Sequence, residues 1–228
     1  MSISITWHGH ATFSLDIDGA KIVVDPFFAG NNPAAKTAVS DVTASFILQT
    51  HGHGDHIADT VPLAKQSGAT VIANFEICNW ISAKGHDAVH AMNTGGGYNF
   101  PFGRVKMTPA LHSSGLPDGS YGGDPGGYVV TAGGKNLYIA GDTALFSDMA
   151  LIGKIGLDAA ILPVGDNFTM GPDDSIEAIK LLKPKVVIPC HYNTWPLIAI
   201  DVDAWATRVK AETEAAPIVL SVDESYSL

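Results

Sequence analysis

Cysteine, long apolar runs and positive charge are all scarce in this sequence of 228 residues. Its two cysteines, Cys78 and Cys190, are too few for a disulfide framework, which is typical of a reducing compartment. No run approaches the roughly 20 uninterrupted apolar residues that a membrane helix needs. Residues 1–8 also lack the basic region and apolar core of a secretion signal. We therefore expect a cytoplasmic protein with no membrane partner.

The charge balance narrows the class of partner. Lysine and arginine together number 13 against 23 aspartate and glutamate residues, which gives a formal net charge of -10. Nucleic-acid binding normally depends on a basic surface that displaces counterions, so a nucleic-acid partner is not expected. Hydrophobic residues make up 46% of the chain, enough for a sizeable buried core. We expect a small-molecule substrate, and the sequence leaves a homo-oligomer open.

The most distinctive stretch runs from Thr50 to His56 and reads Thr-His-Gly-His-Gly-Asp-His, directly after the apolar residues 45–49. Three histidines and an aspartate are costly to bury without partners, whereas a metal ion would satisfy them together. The intervening Gly52 and Gly54 predict tight or left-handed backbone that lets these side chains converge. A polar surface turn is the alternative, but the pattern favours a metal-binding loop after a strand.

Three more candidate ligands each follow an apolar segment that ends in a break: His112, Asp142 and His191. Taken singly, a histidine at a strand end is more often a hydrogen-bonded structural residue. In a layered α/β fold, however, strand ends meet at one rim, where sites are built. Together with the loop, these positions supply five imidazoles and two carboxylates, which is enough for two ions without a cysteine.

Hydrophobic periodicity and turn residues predict two back-to-back sheets with helices outside, in a single domain spanning residues 1–228. Tight hairpins are expected at Asp18-Gly19 and Gly133-Gly134. Residues 27–43 and 113–127 are predicted to be loops, the second a mobile flap beside the site. The predicted strands are 3–7, 11–17, 20–24, 45–49, 69–73, 98–100, 104–109, 128–132, 135–140, 157–163, 185–189 and 218–222, and the predicted helices are 57–67, 75–83, 146–155, 173–182 and 201–215.

The His-x-His-x-Asp-His loop, followed in order by His112, Asp142 and His191, resembles the metallo-β-lactamase superfamily. More narrowly, the chain resembles the metal-dependent hydrolases grouped with ascorbate-6-phosphate lactonase. The segments that carry this narrower resemblance span residues 7–196 and are Trp7-His-Gly-His-Ala-Thr-Phe, Asp25-Pro-Phe, His51–His56, Ala140-Gly-Asp-Thr, Gly165-Asp-Asn-Phe-Thr-Met-Gly-Pro and His191-Tyr-Asn-Thr-Trp-Pro.

The resemblance implies an α/β fold, a four-layer αβ/βα sandwich with a dinuclear site at one edge. It implies that His51, His53 and His112 hold one divalent ion, that Asp55, His56 and His191 hold the other, and that Asp142 bridges them. The expected reaction is hydrolysis by a hydroxide that bridges the two ions. Asp55 and His191 are the candidate catalytic residues, Asp55 as a ligand that also orients the hydroxide. Zn²⁺ is the first expectation for the metal and Mn²⁺ the second, while Fe²⁺ and Ni²⁺ also suit the ligands.

Five residues are candidates for substrate binding or for supporting the ligands: His10, Asp25, Asn167, Tyr192 and Asn193. His8 lies two residues from His10, so in a strand both would share one face. Asp25 suits a supporting role, because metal-bound imidazoles usually donate their second N–H to a carboxylate or carbonyl. For His8, an edge strand without contact to the site is the favoured interpretation.

The leading functional hypothesis is hydrolysis of a small ester, lactone or phosphorylated metabolite. The alternatives are a phosphodiesterase or nuclease of the same superfamily, and a metal-binding scaffold without turnover. The acidic charge argues against the nuclease, and the complete set of seven ligand positions argues against the scaffold.

Overall fold

A computed structural model describes residues 2–228 and contains two seven-stranded sheets. The first sheet has the order β14-β1-β2-β3-β4-β5-β6 and the second the order β13-β12-β11-β10-β9-β8-β7. Its strands are β1 Ile3–Trp7, β2 Phe13–Ile17, β3 Ala20–Val24, β4 Phe46–Leu48, β5 Thr70–Asn74, β6 Val89–Met92, β7 Gly97–Phe100, β8 Gly103–Pro109, β9 Gly126–Ala132, β10 Lys135–Ile139, β11 Ala159–Pro163, β12 Val186–Cys190, β13 Ala216–Pro217 and β14 Ser225–Ser227.

Each sheet is antiparallel at its start and parallel where helices connect its later strands. Strands β1 to β3 pair as antiparallel hairpins, whereas β3, β4, β5 and β6 run parallel. In the second sheet β10, β11, β12 and β13 run parallel. The helices are α1 Gly54–Ile57, α2 Thr60–Ser67, α3 Phe75–Ala83, α4 Met149–Gly153, α5 Pro172–Leu182 and α6 Val202–Glu212. Strands β8 and β10 are both antiparallel to β9 and therefore run in the same direction as each other and as β12, so the strand ends that carry candidate ligands in the second sheet meet at one edge.

One large apolar cluster lies between the sheets and holds them together. It includes Ile5 and Leu15 of the first sheet and Val130, Leu137 and Ile161 of the second, all essentially buried. A smaller cluster packs helices α2 and α3 on the outer face of the first sheet. The predicted sandwich of two sheets with helices outside is confirmed. No helix within residues 2–228 has the length and apolar content to cross a membrane.

Both predicted tight hairpins are present. Asp18 and Gly19 have φ values of 50° and 88°, and Gly133 and Gly134 have 57° and 76°. Two successive positive φ angles are what a two-residue hairpin turn requires. Glycine also ends α2 as predicted, since Gly68 adopts the left-handed conformation with φ 66°.

Four element predictions are wrong. The predicted closing strand 218–222 is replaced by β13 on the second sheet and β14 on the first, because the chain crosses between the sheets after Pro217 and pairs with β1. Strand β6 was missed, because its segment Val-His-Ala-Met gives little apolar alternation. The predicted helix 146–155 is shorter, and the predicted helix 57–67 is divided into α1 and α2.

Candidate metal centre

The candidate ligands come from separate elements that end at one edge of the molecule. His51 and His53 lie between β4 and α1, whereas Asp55 and His56 lie in α1 itself. From the second sheet, the segments that follow β8, β10 and β12 bring His112, Asp142 and His191 to the same edge. The convergence predicted from the sequence is therefore present in the structure.

The Asp142 carboxylate lies at the centre of this arrangement. Its Oδ2 atom is within 4 Å of the Nε2 atoms of four histidines, at 3.1 Å from His191, 3.3 Å from His56, 3.6 Å from His112 and 3.9 Å from His51. Asp142 is only 3% exposed, so its charge requires compensation inside the protein. One carboxylate thus faces imidazoles contributed by both sheets.

The ligand atoms fall into two compact groups, each with all its atoms within 4.8 Å of one another. The three-histidine group consists of His51, His53 and His112, and the carboxylate group of His10, Asp55, His56 and His191. His10 belongs to the second group, although it was predicted only to bind substrate or to support the ligands. A third overlapping set contains Asp25, His51 and His56.

The donor set fits divalent ions. Within the described residues, the buried atoms His56 Nε2, Asp142 Oδ1 and His191 Nδ1 have no hydrogen-bond partner. Buried polar atoms are rarely left without partners in folded proteins, so such atoms in a cluster of imidazoles and carboxylates are consistent with cation binding. Imidazole and carboxylate donors suit zinc and other divalent transition metals.

Asp25 supports the ligands and is not itself free to bind a metal ion. Its Oδ2 accepts hydrogen bonds from His56 Nδ1 at 2.8 Å and from Thr50 Oγ1 at 2.6 Å, while its Oδ1 accepts from the Thr50 backbone N–H. Thr50 Oγ1 also lies 3.0 Å from His51 Nδ1. These contacts leave the Nε2 atoms of both histidines directed into the site, as expected for a carboxylate that orients metal ligands.

His10 and His8 have different environments although they share one short segment. His10 Nε2 lies 3.1 Å from Asp55 Oδ2, and its Nδ1 lies 2.8 Å from Thr194 Oγ1. His8 instead contacts Asp223 Oδ1 at 2.7 Å and Ser14 Oγ at 2.8 Å, outside both ligand groups. Gly9, with φ 96°, and His10, with φ 55°, break the strand alternation, so the two histidines do not share a face.

The charges of the cluster are strongly coupled. Burial lowers the pKa of His10 to about 4, with its hydrogen bond to Asp55 opposing only part of that shift. Burial acts to raise the pKa of Asp142, but the nearby His191 and His56 outweigh it and hold this pKa well below the ordinary value. Burial acts to lower the pKa of His191, yet Asp142 raises it to about 9. The proton on His191 balances carboxylate charge in the cluster, and metal binding would displace it.

The backbone around the ligands is unusual, and the glycine prediction needs correction. His10, Asp25 and His191 have positive φ values of 55°, 45° and 55°, a conformation that non-glycine residues seldom adopt outside constrained sites. Gly52 and Gly54, predicted to be left-handed or tight, have no positive φ. Gly52 instead packs closely against Leu116, since an added Cβ would lie 3.0 Å from Leu116 Cδ2.

The predicted flap, residues 113–127, is attached to the metal loop at its base. Ser114 Oγ accepts a hydrogen bond from the Gly52 N–H at 3.1 Å and donates to the Gly122 carbonyl at 3.0 Å. Ser114 is 6% exposed, and Asn74 Nδ2 also donates to the Gly122 carbonyl. The loop is two residues shorter than predicted, because Gly126 already belongs to β9. Its mobility stays a prediction.

An open cavity of about 590 Å³ lies over the ligands. Among the candidate ligands, His53, Asp55, His112, Asp142 and His191 line it. The other side chains that line the cavity were not predicted from the sequence; they belong to Ser113, Phe168, Trp195 and Leu197. Bulky apolar residues in the two loop segments that follow β11 and β12 were a usable signal for a cavity lining, because a loop residue does not need to be apolar to pack in the core.

Three predicted substrate contacts do not line this cavity. Tyr192 is 5% exposed and stacks on Trp7 with ring centroids 5.4 Å apart, so it belongs to the core. The Asn193 side chain accepts a hydrogen bond from the Ile200 N–H at 2.8 Å and stabilises its own loop. Asn167 is exposed beside Phe168 but is absent from the lining. Positive φ values at Asn167, His191 and Asn193 redirect the side chains, which strand alternation could not anticipate.

Comparison with known proteins places this site in a family. Residues 4–191 match the family model described as the beta-lactamase superfamily domain. The chain is 50% identical over 208 residues to a UPF0173 metal-dependent hydrolase of Thermus thermophilus, covering 91% of this chain and 92% of the relative. It is 46% identical to one from Pelotomaculum thermopropionicum, covering 99% of this chain and 100% of the relative.

A solved structure agrees in fold over the whole length. The metallo hydrolase Igni18 from Ignicoccus hospitalis superposes with a TM-score of 0.91 at 32% identity, covering 100% of this chain and 99% of that one. The match therefore includes both sheets and every segment that contributes a candidate ligand. The chain belongs to the beta-lactamase superfamily and is a metal-dependent hydrolase with the metallo-β-lactamase fold.

Proposed function

We propose that this protein uses two divalent ions to hydrolyse a small ester, lactone or phosphorylated metabolite. The observation that carries this proposal is the position of Asp142, whose Oδ2 faces histidines of both ligand groups. In the proposed assignment His51, His53 and His112 would hold one ion, Asp55, His56 and His191 would hold the other, and Asp142 would serve both. Zn²⁺ is the proposed metal, with Mn²⁺, Fe²⁺ and Ni²⁺ compatible with the same donors.

Divalent ions held here would supply Lewis acidity and a water of lowered pKa. The protein contributes orientation. Asp55 is 29% exposed at its side chain, lines the cavity and is held at Oδ2 by His10 at 3.1 Å. We propose that Asp55 orients the attacking water and that His191, on the same wall, contacts the reacting group. In an ester, the water oxygen joins the acyl carbon, the acyl–oxygen bond breaks, and the leaving alkoxide takes up the proton.

Substitution of the ligands tests this proposal. His53→Ala removes one member of the three-histidine group, and Asp55→Asn removes the charge that faces the cavity from the carboxylate group. The variants and the wild type, each loaded with several metals, are screened on lactones, carboxylic esters, thioesters and phosphate diesters. Asp87→Asn, at an exposed position without a side-chain contact to the site, is the control.

We expect each ligand substitution to reduce kcat/KM by at least about a hundredfold. Loss of a residue that only supports a ligand costs up to about a hundredfold, and loss of a ligand itself should cost no less. Activity that survives both substitutions would defeat the proposal. A preference for phosphate diesters over all carboxylic esters would replace it with the phosphodiesterase alternative. Metal binding without turnover of any substrate class would support the scaffold alternative.

A further inference from the structure

The cavity over the metal ligands has an apolar rim formed by Phe168, Trp195 and Leu197. Phe168 is 52% exposed and Leu197 68% exposed, which is unusual for large apolar side chains. They come from two different segments, after β11 and after β12, so no single local turn places them together. Exposed apolar groups gathered at a cavity mouth indicate a binding surface more strongly than scattered ones do.

Trp195 connects this apolar rim to the ligands. Its ring packs edge-on against His10, with centroids 4.9 Å apart, and His10 in turn contacts Asp55. It also lies 6.4 Å from the Phe27 ring. Trp195 lines the cavity and contacts the buried His10 of the carboxylate group, so a substrate bound beside that group would lie against the Trp195 ring.

Lysine and arginine side chains are absent from the cavity lining within the described residues. The two arginines of the chain are engaged elsewhere, Arg104 with Asn99 and Arg208 with Asp173 and Glu212. Proteins that bind phosphate or carboxylate groups usually provide arginine or lysine for them. The proposed ions would be occupied by the group that is cleaved, which leaves nothing to compensate a second anionic group.

From these observations we infer that the substrate is an ester or lactone whose remaining part is uncharged and apolar, and that Phe168 and Leu197 determine this specificity. The inference rests on the proposed function and narrows it, because it disfavours the phosphorylated metabolites. The occupant of the rim is the acyl chain or ring of the substrate, which would bury apolar surface against the two side chains.

Matched substrates test the inference on the metal-loaded, full-length protein. The 4-nitrophenyl esters of acetate, hexanoate and adipate are compared, since hexanoate and monoadipate have equal length but the second ends in a carboxylate. We expect kcat/KM for hexanoate to exceed that for acetate and for monoadipate by about tenfold. One methylene in an enclosed pocket is worth about that much, and four methylenes against this open rim should together match it.

Three variants and a control locate the preference. Phe168→Ala and Leu197→Ala should each reduce the hexanoate preference by about three- to tenfold with little change towards acetate, because each removes a half-exposed apolar contact. Leu197→Lys should raise the relative rate on monoadipate by supplying the missing charge. Leu151→Ala removes a side chain that is 59% exposed on α4 and lines a different cavity, so it should change neither ratio.

A binding measurement separates this inference from the proposed function. Calorimetric titration with hexanoate and adipate should show preference for hexanoate, weakened in Phe168→Ala and Leu197→Ala. If no ester, lactone or phosphorylated substrate is hydrolysed, the proposed function fails, and the titration still decides whether the rim is apolar-selective. Equal rates on all three esters, or tighter binding of adipate, would overturn the inference. So would rim variants that alter the sedimentation coefficient without altering selectivity, since the rim would then be a subunit contact.

Discussion

The two ligand groups differ in how firmly the protein holds them. In the carboxylate group, the side chains of His10, His56 and His191 are at most 1% exposed, and in the three-histidine group only His51 is equally buried. His53 and His112 are partly exposed on the cavity wall. Buried ligands with fixed partners are already in position before the ion arrives, whereas exposed ligands must be ordered by it.

The supporting contacts differ in the same direction. In the carboxylate group, the buried Asp25 accepts a hydrogen bond from the buried His56, and the partly buried Thr194 contacts His10. In the three-histidine group, His53 makes two side-chain contacts. Its Nε2 lies 3.2 Å from the exposed Ser113 hydroxyl, and its Nδ1 lies 3.0 Å from His51 Nε2. In the proposed assignment of one ion to each group, this difference predicts that the carboxylate group binds its ion more tightly than the three-histidine group does.

The largest effect expected from a residue that supports the ligands is at Asp25. Asp25→Asn places an amide N–H₂ against groups that already donate, and metal affinity should fall by about ten- to a hundredfold. Competition with a fluorescent zinc chelator measures the change. Asp59→Asn is the matched control, because Asp59 is buried and accepts from the Phe28 N–H and from Asn31 without touching a ligand. It should lower stability and leave metal affinity unchanged; equal zinc affinities in the two variants would contradict this role of Asp25.

His10 and His8 offer a smaller and more selective comparison. His10→Phe keeps an aromatic ring near Trp195 and Phe27 but removes the hydrogen bond to Asp55, so the tighter ion should be held about tenfold more weakly. His8→Phe removes contacts to Asp223 and Ser14 instead and should not alter metal binding. Sequential release of the two ions under rising chelator concentration shows which ion each change affects. Weaker metal binding in the His8 variant would contradict the assignment of His10 alone to the site.

The smallest effect is expected at Ser114, which touches the backbone between His51 and His53. Ser114→Ala leaves the buried Gly52 N–H without its acceptor, which should lower the free energy of unfolding by about 1–3 kcal/mol. The three-histidine group should lose affinity by a few-fold while the carboxylate group keeps its own. Ser120→Ala, in the same loop but exposed and paired with Asp118, is the control for chemical denaturation and chelator competition. Equal loss from both groups would mean that they are not held separately.

The sequence predicted the convergence of the candidate ligands better than it predicted their surroundings, and the reason is physical. His51 to His56 combine residue types whose burial is expensive without a metal, and His112, Asp142 and His191 follow apolar strands whose ends must meet. Both signals are local in the chain. The hairpins at Asp18-Gly19 and Gly133-Gly134 were equally predictable, because the turn residues determine them.

The failures lie where backbone direction or distant contacts decide the result. Tyr192 faces the core against Trp7 because the positive φ of His191 turns the chain. Phe168 and Leu197 meet over the cavity only because β11 and β12 are neighbours in the sheet. The closing strand was misplaced because β14 pairs with β1, the first strand of the chain. None of these relations is encoded in local periodicity.

Metal stoichiometry tests the central claim most directly. The protein is purified gently, reconstituted with excess Zn²⁺, separated from free metal and analysed for elemental zinc against protein concentration. The arrangement of two ligand groups around Asp142 predicts two ions per chain, with the ion of the three-histidine group released first under chelator. A preparation that never exceeds one ion per chain would contradict the dinuclear centre.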